Sequence, residues 1–272
     1  DALLVKALNF YKRIPKSANW KVYESQELVA KLYSQRIALL NPSLTIGYSK
    51  FKNTVINGGS LKPYISTRIS DLDYSDLLLN DWAIYHFHLG TTINHRGFIA
   101  RTNELLFALA DETNLSMFLI DIQPHRGGFS RQEFIAIIEN NWPSIIKKHS
   151  LNGVSGLSTG QISDEDLHKL RKTGVNVLQQ TPNGQVIIPM GGGISTAGTS
   201  INVRMDADRI LTALEDLQTE ISNDQNKFDA YFMKKHSLNW HQLEIRLVKD
   251  GENYFIIEIN TSKILFNLNL KL

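Results

Sequence analysis

The chain contains no cysteine. That absence removes disulfides, thiolate nucleophiles and every metal site built on sulfur, so any metal would have to rest on His, Asp and Glu. Proline is sparse, with 7 residues in 272, which excludes collagen-like and proline-rich composition. No apolar run approaches the roughly 20 residues that span a bilayer, so no membrane partner is expected. The opening Asp-Ala-Leu-Leu-Val-Lys lacks the arrangement of a secretory signal. With the missing cysteine, it sets the expectation of a cytoplasmic protein. Net charge is small as well: 29 Lys and Arg against 27 Asp and Glu leave +2. No global field draws the chain to nucleic acid, so any such attraction must come from a local patch.

What remains is an ordinary globular composition, 42% hydrophobic and 21% charged, in a chain long enough for one or two cores. Hydrophobic spacing predicts helices over 2–11 and 24–40, the second ended by Asn41-Pro42. Three short runs rich in aromatic and aliphatic residues, 82–89, 104–111 and 116–123, predict strands, the last two joined by the loop 111–114. Ser130-Arg-Gln-Glu133 has the pattern of a capping box and opens a helix carrying Phe134, Ile137 and Ile138. The loop-like stretch 153–160 is the candidate boundary between a first domain, 1–154, and a second, 155–272. Within the second, Asn183-Gly184 and Asp250-Gly251 signal hairpins between 175–181 and 185–189 and between 243–248 and 254–259. An amphipathic helix is expected over 206–221. The expected fold class is α+β, with N-terminal helices, a central antiparallel sheet packed by helices, and a C-terminal α+β region with two hairpins.

The chemistry concentrates between residues 86 and 131. Four of the eight His (His86, His88, His95, His125) and four of the eleven Arg (Arg96, Arg101, Arg126, Arg131) lie there. On a strand, His86 and His88 share one face while Tyr85, Phe87 and Leu89 share the other. A cleft holding imidazoles beside guanidiniums suits phosphodiester chemistry. One His takes the attacking hydroxyl's proton, another protonates the leaving oxygen, and Arg stabilises the phosphoryl charge. The candidate catalytic residues are therefore His86, His88, His125, Arg101 and Arg126, with no metal and no cofactor. The bland alternative is a polar, solvated sheet face with surface arginines. A third reading gives His86 and His88 to a divalent ion, with His125 and Asp121 as further ligands.

Two weaker features stand beside this one. The stretch 189–200 follows a predicted strand and precedes a helix. Backbone amides around Gly191, Gly192 and Gly193, with the hydroxyls of Ser195, Thr199 and Ser200, could form an anion nest, although the stretch matches neither a Walker loop nor a dinucleotide fingerprint. The alternative is a surface loop. Tyr48-Ser-Lys-Phe-Lys52, with Lys62, Tyr64 and Arg68, alternates rings and cations in a way that could stack on single-stranded nucleic acid, or simply form a half-buried strand.

The segments Trp82-Ala-Ile-Tyr-His-Phe-His-Leu-Gly, Arg101-Thr-Asn-Glu-Leu-Leu-Phe-Ala-Leu-Ala-Asp and Met117-Phe-Leu-Ile-Asp-Ile-Gln-Pro-His125-Arg126 together resemble the core of RelE/ParE-type toxins. The resemblance covers residues 82–126 and rests on hydrophobic pattern, Arg101 and the His125-Arg126 pair. It implies a small antiparallel sheet backed by helices that cleaves RNA without metal, with Arg101 and His125 acting on the phosphate. An antitoxin or other partner protein would accompany it. The chain departs from the family pattern in its length, in the loop 91–100 and in its large C-terminal region. Those departures put ribosome-dependent cleavage in doubt and fit a larger, phage-defence-like relative. A non-catalytic module that binds nucleic acid or protein through the basic face is the rival from another class.

Overall fold

The computed structural model describes residues 2–33, 42–125, 131–154, 156–157, 162–239, 242–250 and 253–268. The fold is α+β, built on a four-stranded mixed sheet and a separate three-stranded antiparallel sheet. The chain divides into two compact units, Val5–Val203 and Arg204–Leu272 with Asp1–Leu4. The division expected at 154/155 falls inside the larger unit. Residues on its far side, Leu167, Ile187 and Met190, are packed in the same apolar cluster as Ile84, Leu105 and Phe107 of the sheet.

The larger unit begins within α1 (Ala2–Lys12), followed by the edge strand β1 (Lys21–Glu24) and α2 (Gln26–Tyr33). The helix expected over 24–40 is described only to Tyr33. Next comes α3 (Pro42–Ile56), where the alternation of rings and cations had suggested a strand. The reason is helical spacing: Leu44, Tyr48, Phe51 and Val55 fall on one stripe, and all four are buried. A short helix, α4 (Leu77–Trp82), takes the place of the expected strand start. Asp76 caps it through its side chain, and Ala83 ends it in the left-handed region at φ 58°.

The strands β2 (Ile84–His88), β3 (Glu104–Asp111) and β4 (Ser116–Pro124) form the expected antiparallel meander. β1, which the sequence reading did not identify, pairs in parallel with β4 and completes the order β1-β4-β3-β2. Both faces of this sheet are covered. Phe87, Leu89, Leu106, Ala108, Met117 and Leu119 pack in the cluster that holds the buried stripe of α3. Ile84, Leu105, Phe107, Leu109 and Ile120 pack with Phe134, Ile137 and Ile138 of α5 (Glu133–Asn141). The start of the expected capping box, Ser130, lies outside the described residues.

A register shift between Phe107 and Ala108 leaves Ile120 as an extra residue in β4. Such a bulge reverses the facing of everything after it. Asp121 therefore stands opposite Phe107, and Gln123 opposite Leu105, on the side of the sheet that carries His86 and His88.

The unit closes with α6 (Pro143–His149), α7 (Asp164–Lys172) and two two-residue strands, β5 (Gln179–Gln180) and β6 (Val186–Ile187). These strands form the first predicted hairpin, much shortened. The smaller unit holds most of α8 (Ile201–Asn223), then α9 (Gln225–His236), β7 (Ile245–Asp250), β8 (Asn253–Glu258) and β9 (Ile264–Asn267). Its core is Phe232, Ile256 and Leu265, with Leu214, Leu217, Phe228 and Phe266 against them. Strands β7 and β8 are the second predicted hairpin. Among the described residues no helix is long and apolar enough to cross a membrane.

Candidate active site at the strand ends

Three chain segments meet at one end of the mixed sheet: the last residue of β2, the residues that lead into β3, and the residue that follows β4. They carry His88, Arg101 and His125. Ladder pairing sets the spacing, since His88 is opposite Leu105 and Leu105 is opposite Gln123, two residues before His125. A bond of 2.6 Å from the His125 amide to the carbonyl of Asn103 ties the end of β4 to the lead-in of β3. The His88 and His125 rings stack with centroids 6.4 Å apart and planes inclined by 17°.

Their environments differ. His88 is 3% exposed. Its Nδ1 accepts the backbone N–H of Thr102 at 3.3 Å, while the Thr102 hydroxyl accepts from the Leu89 amide and donates to the Glu104 carbonyl. Burial, with the neighbouring charges of His86, Arg101 and His125, pulls the His88 pKa down to about 4. His125 is half-buried, and its pKa is lowered by burial and then by Arg101 and His86. Arg101 is exposed. Both imidazoles thus sense Arg101, and at neutral pH the site presents two neutral imidazoles beside one fixed cation. The expected pairing of a neutral with a protonated imidazole does not fit His88, whose burial resists the charge.

His86 lies on the same face as His88, about 7 Å along the strand, but its setting is different. It is 8% exposed, and its Nδ1 stands 3.4 Å from the Asp76 carboxylate. Arg13, Ser66, Tyr74, Asp76, Tyr85 and His86 line a shallow cleft of about 20 Å³, room for roughly one water. Burial pushes the Tyr74 hydroxyl up to about 12. The expectation of solvated imidazoles on an open sheet face holds for neither His86 nor His88.

His95 and Arg96 lie on an exposed loop, and Arg131 stands 3.8 Å from Glu133. Arg126 is outside the described residues. Asp121, the proposed fourth metal ligand, is taken up by Lys31 at 2.6 Å and 2.7 Å, by the Gln123 amide and by the Ile122 N–H. Among the described residues no three of His, Asp and Glu are grouped to hold a metal ion.

The glycine-rich stretch does not form an anion nest. The Gly191 and Gly193 amides donate to the carbonyls of Asp81 and Asn80, and that of Gly192 donates to Pro189. The Ile194 amide bonds the Asn176 side chain, that of Ser195 bonds the Thr199 carbonyl, and that of Thr199 bonds the Ser195 hydroxyl. Ser200 receives Lys12 at 2.7 Å. The Gly191 and Gly193 amides hold the loop to the last turn of α4, whose carbonyls lack intrahelical partners. A Cβ on Gly191 would lie 2.3 Å from the Leu79 carbonyl oxygen, so no side chain fits there. The ring-and-cation stretch is likewise structural. Tyr48, Phe51 and Tyr64 are buried, and Lys52 and Tyr48 both bond Glu24.

Sequence reasoning missed Thr102, Asp76, Lys31 and the buried pair Asp81–Arg171, whose atoms meet at 2.6 Å with Arg171 lying over the Trp82 ring. Asp76 directly before Leu77-Leu-Leu is a helix-capping signal that would have located the first turn of α4. Nothing local marks the other residues as partners. Comparison with family models, with curated proteins and with solved structures finds no match to this chain.

Proposed function

We propose that the strand-end site cleaves RNA without a metal ion, in the manner of a toxin or phage-defence ribonuclease. The observation that carries this reading is the gathering of His88, His125 and Arg101 from three separate segments, with the two rings stacked and both imidazoles depressed first by burial and then by neighbouring charges that include the guanidinium. The antiparallel β2-β3-β4 meander accords with the small antiparallel sheet that the RelE/ParE resemblance implies, while the parallel β1 departs from it.

The step is a transesterification. Neutral His125 takes the proton of a ribose 2′-hydroxyl, the 2′ oxygen bonds to phosphorus, and the bond from phosphorus to the 5′ oxygen breaks. The leaving oxygen takes a proton from solvent water, which reaches this site because Arg101 is exposed and His125 half-exposed. Arg101 neutralises the crowded phosphoryl oxygens. A cytoplasmic setting and an inhibitory partner protein belong with this reading.

Purified protein incubated with labelled RNA, with and without chelator, tests it. Chelator-resistant cleavage is expected, falling by about 10²-fold or more in His125→Ala and to a similar degree in Arg101→Ala. Because His125 acts as a base, the rate should rise with pH through its depressed pKa and level off below the ordinary imidazole value of 6.5. Removing Arg101 removes one cause of that depression, so the residual activity of Arg101→Ala should show this limb at higher pH. Binding without cleavage would make the basic strand end a docking module instead. Cleavage abolished by chelator would replace the scheme with a metal-dependent one.

A further inference from the structure

We infer that His88 acts on the substrate as a neutral hydrogen-bond donor, locked in one tautomer by the backbone of Thr102, and not as a proton-transfer group. The inference rests on the ribonuclease reading of the strand-end site. It reassigns the residue that the spacing of the histidines had marked as the second acid or base.

A ring nitrogen that accepts a backbone N–H carries no proton of its own, because an amide cannot donate to a protonated nitrogen. The Thr102 amide donates to His88 Nδ1 at 3.3 Å. The ring proton therefore belongs to Nε2, which is the only donor the ring has. Thr102 is itself fixed: its hydroxyl receives the Leu89 amide at 3.2 Å and gives its proton to the Glu104 carbonyl at 2.5 Å. The lead-in to β3 and the residues flanking His88 are thereby bound into one unit. Protonating the ring would break the Thr102 bond and place a charge at a position 3% exposed, beside Arg101 and two other imidazoles. A neutral imidazole fixed by its surroundings can still polarise an oxyanion, since a donor is useful without being acidic. Beside the guanidinium of Arg101, the group that such a donor would serve is a non-bridging phosphoryl oxygen.

The first measurement is the nitrogen-15 spectrum of the His88 ring in the intact protein between pH 5 and 8. One neutral tautomer with Nδ1 unprotonated throughout is expected. A ring that titrates inside this window, or carries its proton on Nδ1, overturns the inference whether or not RNA is cut. The second is a pair of variants. Gln supplies an amide N–H near the position of Nε2 but has no transferable proton. His88→Gln should stay within about 10-fold of wild type with an unchanged pH profile, whereas His88→Ala should lose ~10²–10³-fold in kcat, the range for a lost oxyanion donor. If Gln is as inactive as Ala, the donor role is wrong. If the wild-type protein cuts no RNA, the ribonuclease reading fails by itself, and binding of uncleavable 2′-O-methyl RNA decides the donor role. Weaker binding in His88→Ala than in His88→Gln supports it, and equal binding by all three proteins removes it.

Discussion

The strand-end site and the glycine loop hold the two sets of groups that looked most able to bind a phosphate, and the fold uses them in opposite ways. In the loop, the amides of Gly191, Gly192, Gly193, Ile194, Ser195 and Thr199 all donate inside the protein. Two of them close carbonyls of the last turn of α4, and the negative end of a helix is a poor neighbour for an anion. At the strand ends the ladder has stopped, and side chains from three segments come together. Arg101 remains exposed and His125 half-exposed. The difference teaches that a glycine-rich sequence promises free amides only when no orphaned carbonyl lies nearby. A cluster of imidazoles promises chemistry only where strands end.

The largest effect should come from breaking the support under the loop. Arg171 pairs with Asp81 at 2.6 Å, both nearly inaccessible, and Asp81 also receives the Gly191 amide on its carbonyl. Arg171→Met leaves a buried carboxylate without its cation, which costs roughly 3–5 kcal/mol. Urea unfolding should report that loss, while cleavage per folded molecule at low denaturant stays near wild type. A variant with full stability would mean that the pair does not anchor this side of the molecule.

The contrast also shows which features the sequence made legible. The meander was readable because 84–88, 104–111 and 116–124 are short apolar runs bounded by turn residues. The second hairpin was readable because a turn dipeptide separates two alternating segments. β1 was not, since four residues with two exposed positions carry almost no pattern and become a strand only by pairing with β4. α3 was misread because its cations drew attention away from the stripe of Leu44, Tyr48, Phe51 and Val55. The facing of Asp121 depends on a bulge at Ile120, which no local signal announces. For the site, Arg101 and His125 were legible as residues that flank strands. The burial of His86 and His88 was not, because it comes from contacts between segments, such as Asp76 and Tyr74 beside His86 and Thr102 and His125 beside His88, that no local pattern announces.

That burial makes the second prediction, which sharpens the strand-end side of the comparison. In the folded chain His88 holds a pKa of about 4, against about 6.5 when unfolded. Between those values the unfolded chain binds the extra proton, so stability is fully present above pH 6.5 and falls as the pH drops towards 4. The shift corresponds to roughly 3 kcal/mol over that window. Denaturation midpoints measured from pH 7 to pH 4 should show the decline, and His88→Gln should flatten it by about that amount. An equal slope in both proteins would mean that His88 titrates normally in the folded chain.

The smallest effect tests the loop from its other end. The Ser195 hydroxyl meets the Thr199 hydroxyl at 2.9 Å and accepts the Thr199 amide at 3.3 Å, closing the turn across Gly198. Ser195→Ala removes both bonds at a half-exposed position, where water replaces part of what is lost, so the cost should be about 1 kcal/mol. Phosphate and RNA affinity should not change, because a hydroxyl already occupied by its own loop contributes nothing to a ligand. Loss of RNA binding in this variant, with its stability intact, would reverse the comparison: the glycine loop would then be the phosphate site, and the strand ends would have to be read as packing.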